Sequence, residues 1–227
     1  LKNGMQRLEW NSRIVSTIHA VAIVIAGLFV YLNDEQFYYH YNMLHANSAA
    51  VLMTGTSIGY FIVDLYYVLR YFPKLGGVAM VVHHIAVALA QITVVVYSQF
   101  QLMGVASTAT EMTTPFINLL WFLTTLDMKG SSLFAINGLL IWLFWLITRI
   151  GFSVFTSVIF YAQWQKLNKT APFVYWFFLV QLFNLSLLNV MWFTKITRGA
   201  IKTLFPPKQR QQQQQRTTTT TDSNNKK

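Results

Sequence analysis

Six times in this chain an apolar run reaches 19 residues or more, the length an α-helix needs to cross about 30 Å of hydrocarbon. The runs are Ile14–Leu32, Ser48–Leu69, Val78–Tyr97, Leu102–Leu126, Leu133–Tyr161 and Phe173–Phe193. They are continuous rather than alternating. A bilayer admits only helices or closed barrels, because every backbone N–H and C=O must be satisfied inside the protein. The pattern predicts an all-α integral membrane protein with six transmembrane helices in a bundle or barrel. Aromatic clusters at span ends, Phe37-Tyr38-Tyr39 and Tyr66-Tyr67, suit the interfacial belt.

The charges test the count. The 227 residues carry 17 basic and 7 acidic side chains, a net +10 that would hint at nucleic acid if it were spread over a folded surface. It is not: residues 195–227 hold eight basic side chains against one acid, Asp222. With Pro206-Pro207, Gln211–Gln215 and Thr217–Thr221, residues 205–227 read as a disordered basic tail that cannot bury a core. No nucleic-acid partner is implied. In a six-helix topology the termini and the second and fourth loops share one side with 14 basic residues, including those of the segment 1–13, while the other side has only Lys166 and Lys169. The positive-inside rule makes the 14-residue side, and so the C-terminus, cytoplasmic. The chain begins at Leu1 rather than methionine, which reads as a truncated N-terminal segment with a further upstream helix possible. Asn168-Lys169-Thr170 is a glycosylation sequon on the lumenal side, in a loop short enough to restrict access.

Ionisable groups within membrane spans are costly and therefore candidate functional residues. Three formal charges qualify, Asp64, Glu111 and Arg149, together with His19, His83 and His84. Zero cysteine excludes disulfides and thiolate metal sites, and so few carboxylates imply no metal and no cofactor. The adjacent His83 and His84 differ by about 100° around a helix, so one can face a partner while the other points elsewhere. Either is a candidate general base, acyl-accepting nucleophile or metal ligand, the last with little support from so few carboxylates. Glu111, Pro115 and Asn118 fall at i, i+4, i+7, and Pro115 removes the amide bond to residue 111 beside the carboxylate. Arg149 is the one cation inside a span, and a Glu111–Arg149 or Asp64–Arg149 ion pair is expected, acting as a register device or as part of a polar cluster for a lipid. Trp142, Trp145, Phe152 and Thr156 share its face. Asn184 and Asn189 are expected to bond between helices, and His19 to be a satisfied packing residue.

Several of these segments resemble a known family. Glu9-Trp10-Asn11-Ser12-Arg13-Ile14-Val15-Ser16-Thr17, Gly59-Tyr60-Phe61-Ile62-Val63-Asp64 and His83-His84 resemble the TLC-domain family, named for TRAM, Lag and ceroid-lipofuscinosis proteins. Glu111-Met112-Thr113-Thr114-Pro115-Phe116-Ile117-Asn118, Trp121-Phe122 and Asn189-Val190-Met191-Trp192-Phe193 look like its small "TLC domain-containing" branch. The resemblance spans residues 9–204. It implies a multi-spanning protein, mostly of the endoplasmic reticulum, in a family of ceramide synthases, lipid-composition regulators and a cargo receptor. The synthases share the histidine pair but carry a further His-Asp-x-x-Asp block, where this chain has Ser107-Thr108-Ala109-Thr110-Glu111-Met112.

Three readings follow. The first is a lipid-handling protein that binds a membrane lipid or acyl chain through Asp64, His83, His84, Glu111, Asn118 and Arg149 and serves lipid homeostasis. The second is an acyl-CoA-dependent N-acyltransferase in which His83 and His84 act on an acyl-CoA and a sphingoid base. The third is a trafficking or cargo-binding protein. A transporter has little support, since no internal repeat or glycine-broken helix pair is evident.

Overall fold

The computed structural model describes residues 4–204. Residues 1–3 and the Gln/Thr-rich tail, 205–227, lie outside the described residues. All regular structure within them is helical: α1 (Gly4–Leu32), α2 (Glu35–Tyr38), α3 (Ser48–Arg70), α4 (Gly77–Tyr97), α5 (Gln101–Ser107), a 3-10 turn (Thr108–Thr113), α6 (Thr114–Thr125), α7 (Ser132–Trp145), a π-turn (Leu146–Ile150), α8 (Gly151–Thr170) and α9 (Pro172–Leu204).

Among the described residues five helical stretches are long and apolar enough to cross a membrane: Gly4–Leu32, Ser48–Arg70, Gly77–Tyr97, Ser132–Thr170 and Pro172–Ile201. The all-helical membrane expectation holds, but the count of six uninterrupted spans does not. The run predicted at Leu102–Leu126 is broken into α5, the 3-10 turn and α6, each too short to cross alone. The cause is local. Pro115 sits in the first turn of α6 and has no N–H to give residue 111. The Glu111 carbonyl instead accepts from the Thr114 N–H, the i→i+3 pattern of a 3-10 turn. Hydroxyls complete the turn: Ser107, Thr108, Thr110 and Thr113 each donate to the carbonyl three residues earlier.

The helices close into a ring. α1 packs on α3, α3 on α4, α4 on α9, α9 on α7 and α8, α7 on α6, and the 3-10 turn with α6 returns to α1. α1 approaches the 3-10 turn closely at Gly27, where a Cβ would fall on the Thr108 hydroxyl. The outer surface is apolar, with Leu28, Phe29, Leu52, Ile62, Val63 and Phe183 all more than half exposed, as lipid contact requires. α5 is the exception to the ring order. It touches α1, α3, α4 and α8, and its residues Gln101, Leu102, Met103, Gly104 and Val105 are all buried. It therefore stops one end of the ring like a cork.

A compact loop, residues 33–47, seals the same end. Phe37 and Met43 are fully buried, and Phe100, whose N–H donates to the Met43 carbonyl, packs against Phe160 and Phe178 at 5.5 and 5.1 Å between ring centres. Asp34 organises the polar side of the loop. It caps α2 through the Gln36 N–H (2.9 Å) and accepts from Asn47 Nδ2 (2.6 Å), with His45 Nε2 at 2.9 Å. Asn47 in turn caps α3 through the Ala50 N–H, and its own N–H donates to Gln101 Oε1 at 2.7 Å, tying loop to cork.

Burial alone would push the Asp34 carboxyl up, but the bonds from Asn47, His45 and the Gln36 backbone outweigh it and hold the group below the usual carboxylate range. A depressed folded value stabilises the protein above the unfolded value and stops doing so as pH falls through the folded one. Asp34→Ala should therefore cost about 2 kcal/mol near neutrality. The gap between its melting temperature in detergent and that of the parent should be widest near neutrality and narrow as pH falls through the lowered Asp34 value. A gap that stays constant across this range would contradict the role of the charge.

Candidate functional site

The ring encloses a partly open cavity with about 980 Å³ of space between atoms, counting its opening. Three helices line it along matching lengths: α4 from His83 to Val94, the π-turn and α8 from Arg149 to Phe160, and α9 from Phe178 to Asn189. Eleven residue steps of helix span about 16 Å, half the hydrocarbon thickness of a bilayer. Because α9 runs opposite to α4 and α8, His83, Arg149 and Asn189 gather at one end and Val94, Phe160 and Phe178 at the other. The broken segment follows the same polarity, from Met103 and Gly104 of the cork to Thr110 and Glu111. The cavity is thus amphipathic along its axis. Gln91 and Ser57, bonded to each other at 3.2 Å, stand between the two ends.

The polar end is built by the two irregular turns. The π-turn places Arg149, only 6% exposed, against the 3-10 turn, where Nε donates to Thr113 Oγ1 at 3.0 Å. Nη1 donates to Asn189 Oδ1 at 3.3 Å, and the guanidinium lies over the Trp145 ring, 4.4 Å from its centre. Trp145 is fixed by its own bond to the Asn189 carbonyl. The predicted ion pair is absent. Among the described residues no carboxylate comes within 4.0 Å of Arg149. Glu111 also lines the cavity, but its Oε2 accepts from the Thr114 hydroxyl at 2.8 Å.

Asp64 is the other expected partner, and it is engaged elsewhere. Its Oδ2 lies 2.7 Å from His84 Nε2, while His84 Nδ1 lies 2.9 Å from the Met80 carbonyl. A carbonyl can only accept, so Nδ1 carries a proton, and the short contact to Asp64 requires a second one shared between imidazole and carboxylate. The two histidines separate as adjacent helix positions should. His84 is locked to Asp64 and faces away from the cavity, whereas His83 lines it, edge-on to Trp192 at 5.3 Å. His83 Nδ1 is buried without a hydrogen-bond partner among the described residues.

Of the six residues predicted for lipid binding, His83, Glu111 and Arg149 therefore line one cavity, and Asp64, His84 and Asn118 do not. Asn118 is a clamp between α6 and α1. Its Oδ1 accepts from Arg13 Nη1, and its Nδ2 faces the Arg13 carbonyl, Ser16 Oγ and Thr17 Oγ1, all between 2.7 and 3.0 Å. Although i, i+7 spacing aligns it with Glu111 on an ideal helix, the intervening 3-10 turn changes the phase. Arg13 completes the clamp over the Trp121 ring and against Glu9 at 2.8 Å. Phe152 and Thr156 line the cavity as their shared face with Arg149 predicts, while Trp142 turns to donate to Thr197 Oγ1. Asn189 makes the expected interhelical bond. His19 packs flat on Tyr60 at 3.8 Å, as a packing residue should, but neither of its buried ring nitrogens has a partner. Gln91 and Gln181 also line the cavity, uncharged residues whose only signal in the sequence is spacing: Gln91 lies eight residues after His83 and Gln181 eight before Asn189. The sequon residue Asn168 is within α8, where Oδ1 accepts from Trp176 Nε1. Among the described residues no group of three or more His, Cys, Asp or Glu side chains could hold a metal ion.

A ring of membrane helices around an axially amphipathic cavity, with a buried cation at its polar end, defines a multi-spanning integral membrane protein with an internal site. The chain belongs to the TLC-domain family, whose model matches residues 9–198. It is 30% identical over 215 residues to TLC domain-containing protein 4 of Homo sapiens, covering 88% of this chain and 76% of that protein. It is 28% identical to TLC domain-containing protein 4-B of Xenopus laevis, covering 89% and 78%. It is also 28% identical to the Saccharomyces cerevisiae protein named Topoisomerase I damage affected protein 4, covering 91% and 74%.

The Asp64–His84 pair is a structural lock between α3 and α4. Removing either partner leaves the other polar group stranded in the membrane interior, so Asp64→Ala and His84→Ala should each lower stability in detergent by about 3 kcal/mol. The double variant should lose far less than the sum. Additive losses would show that the contact is not a coupled pair.

Proposed function

We propose that the protein is a lipid-handling protein that holds a membrane amphiphile inside its helical ring. The acyl chain lies along Val94, Phe160 and Phe178, and the head group sits among His83, Glu111, Arg149 and Asn189. The observation that carries this reading is Arg149, a guanidinium buried at the polar end of an amphipathic cavity with no carboxylate within ion-pair distance among the described residues. The 16 Å reach of the lining supports a chain from one leaflet. Membership of the TLC-domain family supports a role in membrane lipid composition. The basic bias of the termini and of the second and fourth loops supports cytoplasmic termini, in the endoplasmic reticulum as for most of the family.

The reading makes an unusual joint prediction. An arginine in a buried ion pair cannot be removed cheaply, because a carboxylate is left behind. Arg149 has no carboxylate within ion-pair distance among the described residues, so Arg149→Met should leave the purified protein folded with a melting temperature close to that of the parent. It should also lower the co-purified lipid measured by native mass spectrometry about tenfold. A stable variant with unchanged lipid content would sink the reading. At the apolar end, Phe178→Ala removes a ring beside Phe100 and deepens the cavity. The chain-length distribution of the bound lipid should shift upward, and an unchanged distribution would show that the chain does not reach the cork.

Acyl transfer is the second reading, favoured by the unpartnered Nδ1 of His83 facing the cavity. It has less support, because nucleophilic or basic imidazoles are oriented by a third group and the oriented ring here is His84. Purified protein incubated with labelled acyl-CoA and a sphingoid base distinguishes the two; an amide product abolished by His83→Ala would favour transfer.

A further inference from the structure

The polar end of the cavity contains two opposite charges that do not meet. Arg149 points donors into it: Nε and Nη1 have protein partners, and Nη2 has none among the described residues. Glu111 presents the complementary vacancy, since Oε2 takes the Thr114 hydroxyl and Oε1 accepts nothing among the described residues. No Glu111–Arg149 contact lies within ion-pair distance, yet both side chains line the same cavity. The remaining carboxylate of the neighbourhood, Asp64, is held by His84, and His83 adds an unpartnered Nδ1. Threonine and asparagine hold each charge in place rather than neutralise it.

Two separated, oriented and opposite charges in a low-dielectric cavity select a ligand that carries the mirror image of both. A purely anionic head would satisfy Arg149 but meet Glu111 as a like charge, and a purely cationic one would do the reverse. We infer that the amphiphile held in this cavity is zwitterionic, its anionic group on Arg149 and its cationic group on Glu111. The inference rests on the lipid-binding reading above and specifies its ligand class. It also accounts for the absence of a direct pair: a Glu111–Arg149 contact would close the site against such a head group.

The test compares three single-chain probes of equal acyl length on the full-length protein in detergent: a lysophosphatidylcholine, the corresponding lysophosphatidic acid and an alkylammonium. Binding is read by native mass spectrometry titration, with melting curves to confirm that each variant is folded. The zwitterion should bind about tenfold more tightly than either singly charged probe. Arg149→Gln should weaken the zwitterion and the phosphate probe about tenfold and leave the ammonium unchanged. Glu111→Gln should weaken the zwitterion and the ammonium and leave the phosphate probe unchanged or tighter. Equal or tighter binding of the phosphate probe by the parent, or a Glu111→Gln variant indifferent to all three, would overturn the zwitterion while leaving the lipid reading intact. If none of the three binds, both fall.

Discussion

A guanidinium buried inside the bundle, with no carboxylate within ion-pair distance among the described residues, is the constraint around which this site is arranged. Hydrocarbon offers Arg149 no solvation, so the bundle supplies it piece by piece: a threonine hydroxyl from the broken segment, an asparagine oxygen from α9 and the face of a tryptophan from α7. Each of these partners is neutral. Together they hold the group in place and leave its charge uncancelled, which is the difference between a structural ion pair and a site awaiting an anion.

The same requirement explains the two interruptions in helical geometry. A regular α-helix through residues 108–113 would satisfy its own carbonyls, but Pro115 removes one donor, and the serine and threonine hydroxyls take over the adjustment. The π-turn at residues 146–150 does the complementary work on the opposite wall, and the two turns touch each other across the polar end. Below them α5, too short to span, fills the interior and turns a ring into a cup. The loop at residues 33–47 locks that closure through Asp34, Asn47 and Gln101.

Much of this was legible in the sequence, and the remainder was illegible for physical reasons. Hydropathy reports where a helix must be apolar, so the span ends at Leu32, Ser48 and Tyr97 coincide with helix ends in the structure. It does not report where helical regularity fails. Leu102–Leu126 reads as one span because its apolar flanks carry the hydropathy across the polar six-residue 3-10 turn, and Pro115 marks the break. Partner choice was the other blind spot. Asp64, Glu111, Arg149 and His84 were recognisable as groups needing partners, but which two meet depends on helix order around the ring, and Asp64 chose His84 rather than Arg149. Asn118 shows the same limit, its assignment to the site resting on a periodicity that the 3-10 turn does not keep. The division of labour between His83 and His84, by contrast, follows directly from their 100° offset.

The central claim is that the cavity is a lipid site and not a packing defect, and its most direct test is the density inside the ring in an experimental structure of the protein in lipid nanodiscs. The account predicts a continuous tube from Arg149 and Glu111 toward Phe178, headed by a feature within hydrogen-bond distance of the guanidinium. A ring collapsed around Arg149, with the guanidinium drawn onto Glu111 and no room between His83 and Phe178, would contradict it.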